Sequence, residues 1–269
     1  MIRIEGLWAG YGGRDIVRGI ELLVGRGSVN CVVGPNGAGK STVLKTISGL
    51  LKPRTGSIVV DGIELTHATP NAILREGIVQ VPQRHGLFAR LTVRQNVLMG
   101  AYVIRRRRKE IDERYERLAE IFPLLAARPN VSAASLSGGQ RRMVEFARAM
   151  MLEPKVVLLD EPTLGLDIRS LAIIRDSILS MNKSGTTILM VEQNVRFGLS
   201  LADQATVMSA GSVVLTGPAK DVAGHPDLMA MFFGAANSGG TTTETPEIRE
   251  PIDPSPSGPE SDSVPGLTR

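Results

Sequence analysis

Residues Gly34–Ser41 read GPNGAGKS and match the phosphate-binding loop pattern GxxxxGK[ST]. The apolar run "NCVV" precedes them, and the helix-forming stretch "GKSTVLKTISGLL" opens at their end. A strand before and a helix after is the context the pattern requires, and it argues against a chance glycine-rich turn. Glycines let backbone N–H groups turn inward around phosphates, and the helix N-terminus adds a positive dipole end. Lys40 is placed to neutralise the outer phosphates and Ser41 to ligate Mg²⁺.

Outward from this loop, the chain alternates. Short β-branched runs recur, among them "SIVVDG", "GIVQVP", "KVVLLDEP", "TTILMVE", "ATVMSAG" and "SVVLTG". Helical stretches such as "SGGQRRMVEFARAMML" and "SLAIIRDSILSMN" lie between several of them. Runs apolar throughout suit parallel strands covered on both faces, so the pattern predicts an α/β fold. From about Leu91 to Val131 only helical patterns occur, and an inserted helical subdomain is expected over about 91–152. From Ala235 the chain is rich in Pro, Ser, Thr and Gly, and a disordered tail is expected over 235–269.

With 269 residues and 42% hydrophobic side chains, the chain can bury a sizeable core. Its apolar runs are strand-length, too short for a membrane-spanning helix, and no secretory leader is evident at "MIRIEGLWAG". One cysteine, Cys31, excludes a disulfide framework, fits a reducing compartment and reads as a core residue. The net charge of +4 is uneven: six acids and two bases after Gly234 leave 29 bases against 21 acids before it. A basic body suits nucleotides, nucleic acid or anionic surfaces without choosing among them. "RRRRK", Arg105–Lys109, reads as a solvated helix face, and the methionines of "MVEFARAMM" as core packing. His67, His85 and His225 lack metal-ligand spacing.

Two further motifs carry chemistry. "VVLLDEP", Val156–Pro162, is an apolar strand ending in two acids. Asp160 can reach Mg²⁺ directly or through water, while Glu161 points elsewhere and can polarise an attacking water. "LSGGQ", Leu136–Gln140, opens a helix with Ser137 as N-cap. Its two glycines are expected to expose backbone N–H groups to an anion.

Together these motifs resemble the ATP-binding subunits of ABC transporters over Ile2 to about Gly234, and residues 1–234 are expected to be one such domain. The resemblance implies a P-loop NTPase core with a mixed sheet, an N-terminal antiparallel β part and the helical insert. It implies that Gly34, Pro35, Asn36, Gly37, Ala38, Gly39, Lys40, Ser41 and Thr42 bind ATP, with Mg²⁺ at Ser41, Gln83 and Asp160. Gln83 in "VPQRHGLF" matches the family's Q-loop. Tyr11 matches the aromatic that stacks on adenine, although as a residue it reads equally well as a half-buried strand-end aromatic. Asp167 in "LGLD" matches the D-loop, which crosses to a partner. In the family two chains sandwich ATP between one phosphate loop and the other chain's LSGGQ. Ser137, Gly138, Gly139 and Gln140 would therefore serve a nucleotide on another molecule.

"LTVRQNVLMGAY", "IFPLLAAR" and "VEQN" narrow the resemblance to one of the two ATPases of branched-chain amino acid importers. Asp167 and Gln83 depart from that subfamily toward the general ABC pattern. The resemblance implies uptake of branched-chain amino acids or related solutes at the cytoplasmic face of the membrane. Its partners would be an unlike, histidine-bearing ATPase, two transmembrane permeases and a solute-binding protein, with no nucleic acid. The other readings are export or lipid transport, and a mainly ATP-holding partner in an asymmetric pair. Gln193 keeps the latter open, because the family places there a histidine that stabilises developing charge. Glutamine keeps a neutral donor but cannot become cationic. Losing such a donor costs about 10²–10³ in rate at comparable sites. Glu161, Gln83 and Gln193 are thus the expected catalytic set.

Overall fold

The computed structural model describes residues 1–84 and 86–233; the tail expected over 235–269, and His85, lie outside the described residues. The first two strands, β1 (Ile2–Tyr11) and β2 (Arg14–Val24), form an antiparallel hairpin. β3 (Val29–Val33) leads into α1 (Lys40–Ile47), then β4 (Thr55–Val60), β5 (Ile63–Glu64), α2 (Pro70–Arg75) and β6 (Ile78–Val81). Among the described residues, only helices follow up to residue 155: α3 (Val93–Leu98), a 3₁₀ segment (Met99–Ile104), α4 (Arg108–Ile121), α5 (Leu124–Ala127), a 3₁₀ turn (Ala133–Ser135) and α6 (Gly138–Met150). The alternation then resumes with β7 (Val156–Asp160), α7 (Ile168–Lys183), β8 (Thr187–Glu192) and α8 (Val195–Leu201). β9 (Gln204–Ser209), β10 (Ser212–Pro218), α9 (Ala219–Ala223) and α10 (Leu228–Phe233) complete the described chain.

The strands form two sheets. A four-stranded antiparallel sheet has the order β2-β1-β4-β5, and a six-stranded sheet the order β10-β9-β3-β8-β7-β6. The larger sheet is parallel except for the β9–β10 hairpin. This is the expected mixed-sheet α/β architecture. The run "SIVVDG" departs from the parallel reading, since β4 pairs antiparallel with β1 in the smaller sheet.

β3, β7 and β8 are buried at every residue, which is why they read as unbroken apolar runs. Their side chains alternate between two cores. Val157, Leu159, Ile188 and Met190 join one cluster with Val93, Val97, Tyr115, Phe122, Phe146 and Ile178, so this core runs from the sheet into the helices between β6 and β7. Leu158, Leu189 and Val191 join the other with α1 and the antiparallel sheet, including Leu44, Ile47, Ile4 and Ile58. Cys31 is buried in the first cluster. Ala147, Met150 and Met151 are buried, as expected of core positions, and Arg105–Lys109 are exposed.

Helix starts are written in side chains. Thr69 accepts from Ala72 N ahead of Pro70, Thr92 and Gln95 form a capping box on α3, and Asn194 accepts from Phe197 N. Parallel register brings the carboxyl ends of four strands level: Val33 pairs with Glu192, Asp160 with Val191, and Val81 with Leu159. Open α/β sheets hold ligands at such ends.

Candidate functional site: a phosphate-binding loop facing two strand-end acids

The loop Gly34–Gly39 connects β3 to α1, and Lys40 is the first residue of that helix. Gly39 has φ 96°, where a side chain is strained, and a Cβ there would stand 2.6 Å from Val17 Cγ1. Lys40 is 4% exposed; its Nζ donates to Gly34 O at 2.8 Å and Pro35 O at 3.0 Å, and lies 3.6 Å from Glu161 Oε1. A concavity of about 150 Å³ is walled by Asn36–Thr42, Ile16 and Glu161.

The acids face this loop with different partners. Ser41 Oγ donates to Asp160 Oδ1 at 2.7 Å. Burial pushes the Asp160 carboxyl up, and the Ser41 hydrogen bond opposes that rise. Gln83, just past β6, donates through Nε2 to Glu161 Oε2 at 2.5 Å. Lys40, Ser41, Gln83, Asp160 and Glu161, expected together, are together. Glu161 itself has φ 44°, a conformation uncommon for a non-glycine residue, and its N–H donates to Val191 O at 3.0 Å. A hydroxyl beside a carboxylate is a hard-oxygen donor set that fits Mg²⁺. No cluster of three or more His, Cys, Asp or Glu that could hold a metal occurs among the described residues. Gln83, the third expected ligand, gives its Nε2 to Glu161, which leaves its amide oxygen for a cation; further ligands would come from phosphate and water.

Gln193 is exposed just past β8 and lines a cleft of about 260 Å³ with Glu161, Thr163, Leu164, Gly165, Glu192 and Asn194. Tyr11 ends β1, is exposed, and has Lys45 Nζ of α1 5.7 Å from its ring centroid, which sets the ring beside the helix that carries the loop. Thr42 is buried in α1, its carbonyl accepting from Thr46 Oγ1 at 2.7 Å.

Ser137–Gln140 and Asp167 form a separate group. Among the described residues no hydrogen bond or ion pair joins them to the phosphate loop. Ser137 Oγ accepts from Gln140 N, and Gln140 Oε1 from Ser137 N, a capping box on α6. Asp167 caps α7: Ser170 N donates to it at 3.0 Å and Ser170 Oγ at 2.9 Å, and these bonds hold its carboxyl below the usual range. The expectation of two exposed glycines needs correction. Gly139 is buried and Gly138 half-buried. A Cβ on Gly139 would lie 2.8 Å from Ser170 Cβ, and one on Gly138 2.9 Å from Leu166 Cδ2. Close packing of α6 on α7 within one chain already requires Gly139, whereas at Gly138 the neighbour is the tip of the Leu166 side chain, ahead of α7, which can turn aside.

Two polar constellations escaped the sequence reading. Glu192, 1% exposed, accepts from Thr163 N at 3.1 Å and Thr163 Oγ1 at 2.8 Å. It thereby ties the turn after Glu161 to the loop carrying Gln193. Burial raises its carboxyl, and the Thr163 bonds oppose the rise. The other is the buried pair Arg142–Glu145 on α6, with Nη1 2.9 Å from Oε2. The available signals were an acid closing the apolar run "TILMV" and two charges on the apolar face of α6.

The family model described as "ABC transporter" matches residues 17–164, a span that includes the phosphate loop, Gln83, Ser137–Gln140, Asp160 and Glu161. The chain belongs to the ABC transporter family. As in that family, this ATP-binding chain is an ATPase subunit of a transporter, hydrolysing ATP in transport and working with transmembrane permease subunits. It is 36% identical over 235 residues to a probable branched-chain amino acid transport ATP-binding protein, LivF, of Archaeoglobus fulgidus, covering 87% of this chain and 99% of that protein. It is also 34% identical over 240 residues to the lipopolysaccharide export ATP-binding protein LptB of Haemophilus influenzae, covering 87% and 97%. Among solved structures, the ADP conformation of an ATP-binding cassette of an ABC transporter superposes with a TM-score of 0.78 at 27% identity, covering 87% of this chain and 98% of that one. No helix among the described residues is long and apolar enough to cross a membrane, which is consistent with peripheral association with its permeases.

Proposed function

We propose that this ABC ATPase powers import of branched-chain amino acids or related small solutes, and that its own site holds ATP well and hydrolyses it slowly. The observation that carries the second half is Gln193 on the cleft it shares with Glu161. The first half is supported by the near-complete overlap with a probable branched-chain amino acid transport ATP-binding protein. In this reading the loop amides and Lys40 bind the phosphates, and Ser41, Asp160 and the amide oxygen of Gln83 would hold Mg²⁺. The cation, when bound, neutralises charge on the transferring phosphoryl group. Glu161 accepts a hydrogen bond from the attacking water and polarises it, while Gln83 fixes the carboxylate that does so. Gln193 offers a neutral donor toward the outer phosphate where a histidine would offer a cation. Tyr11 supplies a face for adenine. Ser137–Gln140 and Asp167 form a second surface that meets the nucleotide of a partner chain, placed at the cytoplasmic face of the membrane together with permeases and a solute-binding protein. Residues 1–234 form the ATP-binding domain, with the helical part over about 91–152 as its insert.

Lipid export is the second reading, and the resemblance to a lipopolysaccharide export ATPase favours it. The deciding experiment is reconstitution with the cognate permeases, reading ATP turnover against solute-loaded binding protein and against lipid. Stimulation by leucine-loaded binding protein alone supports import. Stimulation by lipid alone overturns it. Within that complex, Gln193→His should raise turnover about tenfold or more, and an unchanged rate would remove Gln193 as the cause of a slow site.

A further inference from the structure

A surface helix normally keeps Arg and Glu in water, yet α6 buries one of each one turn after its start. The Arg142 and Glu145 side chains are each 1% exposed. The guanidinium does more than pair with its neighbour: Nη1 donates to Pro82 O at 2.9 Å and Nη2 to Gln83 O at 2.8 Å. Glu145 Oε1 accepts from Gly86 N at 2.7 Å, and Arg148 Nη1 donates to Gly86 O at 2.6 Å. The chain leaving β6 is thus held to α6 through its backbone at Pro82, Gln83 and Gly86, which leaves the Gln83 side chain to meet Glu161. At its other end α6 begins with the Ser137–Gln140 capping box. A planar fork that holds two carbonyls at once is a rigid link, which a lysine cannot copy. Buried ion pairs contribute little to stability over apolar pairs of the same size, so stability alone does not account for this one.

We propose that Arg142 and Glu145 are positioning residues that make Pro82, Gln83 and Gly86 move as one piece with α6, so that a displacement of Ser137–Gln140 reaches Glu161 through Gln83. The inference rests on the reading of Glu161 and Gln83 given above.

The test compares the full-length chain with Arg142→Lys, with the pair Arg142→Met and Glu145→Leu, with Gln83→Ala, and with each Arg142 change combined with Gln83→Ala. Amide exchange in the segment 82–88, melting temperature and ATP turnover are read on each. Exchange in that segment should rise at least about tenfold in the Arg142 variants, with protection elsewhere kept. Turnover should fall about 10–10²-fold, the scale of a small misplacement at a reacting centre, with KM for ATP changed less than about twofold. Added to Gln83→Ala, the Arg142 changes should cost nothing more. Unchanged exchange in the segment overturns the proposal, as do losses that multiply with Gln83→Ala. If the apolar pair fails to fold, Arg142→Lys alone carries the comparison. Glu161→Gln serves as control: if it leaves turnover unchanged, the reading of the site fails, whatever the Arg142 variants do. If the chain alone turns over no faster than Glu161→Gln, the exchange result decides.

Discussion

Gln83 Nε2 donates to Glu161 Oε2 across 2.5 Å, and the other oxygen of that carboxylate stands 3.6 Å from Lys40 Nζ. Segments 43 residues apart at Lys40 and Gln83, and a third beyond them in sequence, therefore meet on one carboxylate. A group placed between a buried ammonium and a neutral donor is oriented on both sides. Glu161→Gln keeps the shape and removes the charge. Turnover should fall about 10²–10⁴-fold while ATP affinity changes little. Steady-state phosphate release alongside equilibrium nucleotide binding checks this, and loss of binding in step with turnover would count against the assignment.

The Ser41–Asp160 hydrogen bond at 2.7 Å places a hydroxyl and a carboxylate side by side. Ser41→Ala removes one of these oxygens and the partner of the other. The Mg²⁺ concentration for half-maximal turnover should rise about tenfold, the scale of losing one good contact of about 1.4 kcal/mol. The metal-free chain should lose about 1 kcal/mol. A magnesium titration of turnover and a urea melt read the two effects separately.

Gly139→Ala tests the packing of α6 on α7. A methyl 2.8 Å from Ser170 Cβ forces the helices apart, at about 1–3 kcal/mol. The loss should appear in denaturation of the chain by itself, with no nucleotide or partner. In a double-mutant comparison, Ser170→Gly should make the added methyl nearly free. A Gly139→Ala chain as stable as the parent would return the glycines to a purely intermolecular role.

Glu192 gives stability a pH dependence of known sign. Burial holds its carboxyl above the ordinary range, so the folded chain keeps a proton that the unfolded chain has lost. Stability from this group is therefore fully present at low pH and declines as pH rises from the ordinary glutamate pKa through the raised one. Glu192→Gln removes the slope. Denaturation of both forms between about pH 5 and about pH 8 should show the variant gaining on the parent as pH rises. A constant difference would mean that the folded carboxyl titrates as an unfolded one does.

How much of this was legible in the sequence depended on range. The phosphate loop was legible because a strand, a glycine turn and a helix lie within some twenty residues, and each signal confirms the next. Asp160 and Glu161 were legible because a wholly buried strand leaves an unbroken apolar run before them. The Glu161–Gln83 contact spans 78 residues and depends on β6 pairing with β7, a register that neither segment encodes alone. Gly138 and Gly139 were misread because a glycine signals room for something without saying what fills it, and here it is Ser170 and Leu166. Glu192 and Arg142 read as ordinary charges, since a buried polar residue shows itself only through partners such as Thr163 and Pro82.

Glu161 sits at φ 44°, anchored by its N–H to Val191 O. Non-glycine residues held there cost on the order of 1 kcal/mol, met by the surrounding structure. Glycine at this position would relax the backbone, yet it would also leave the buried Lys40 ammonium without its carboxylate and Gln83 without its acceptor. The strained backbone at this one residue is held in place by charge as well as by chemistry, so a screen for robustness alone would not select its removal.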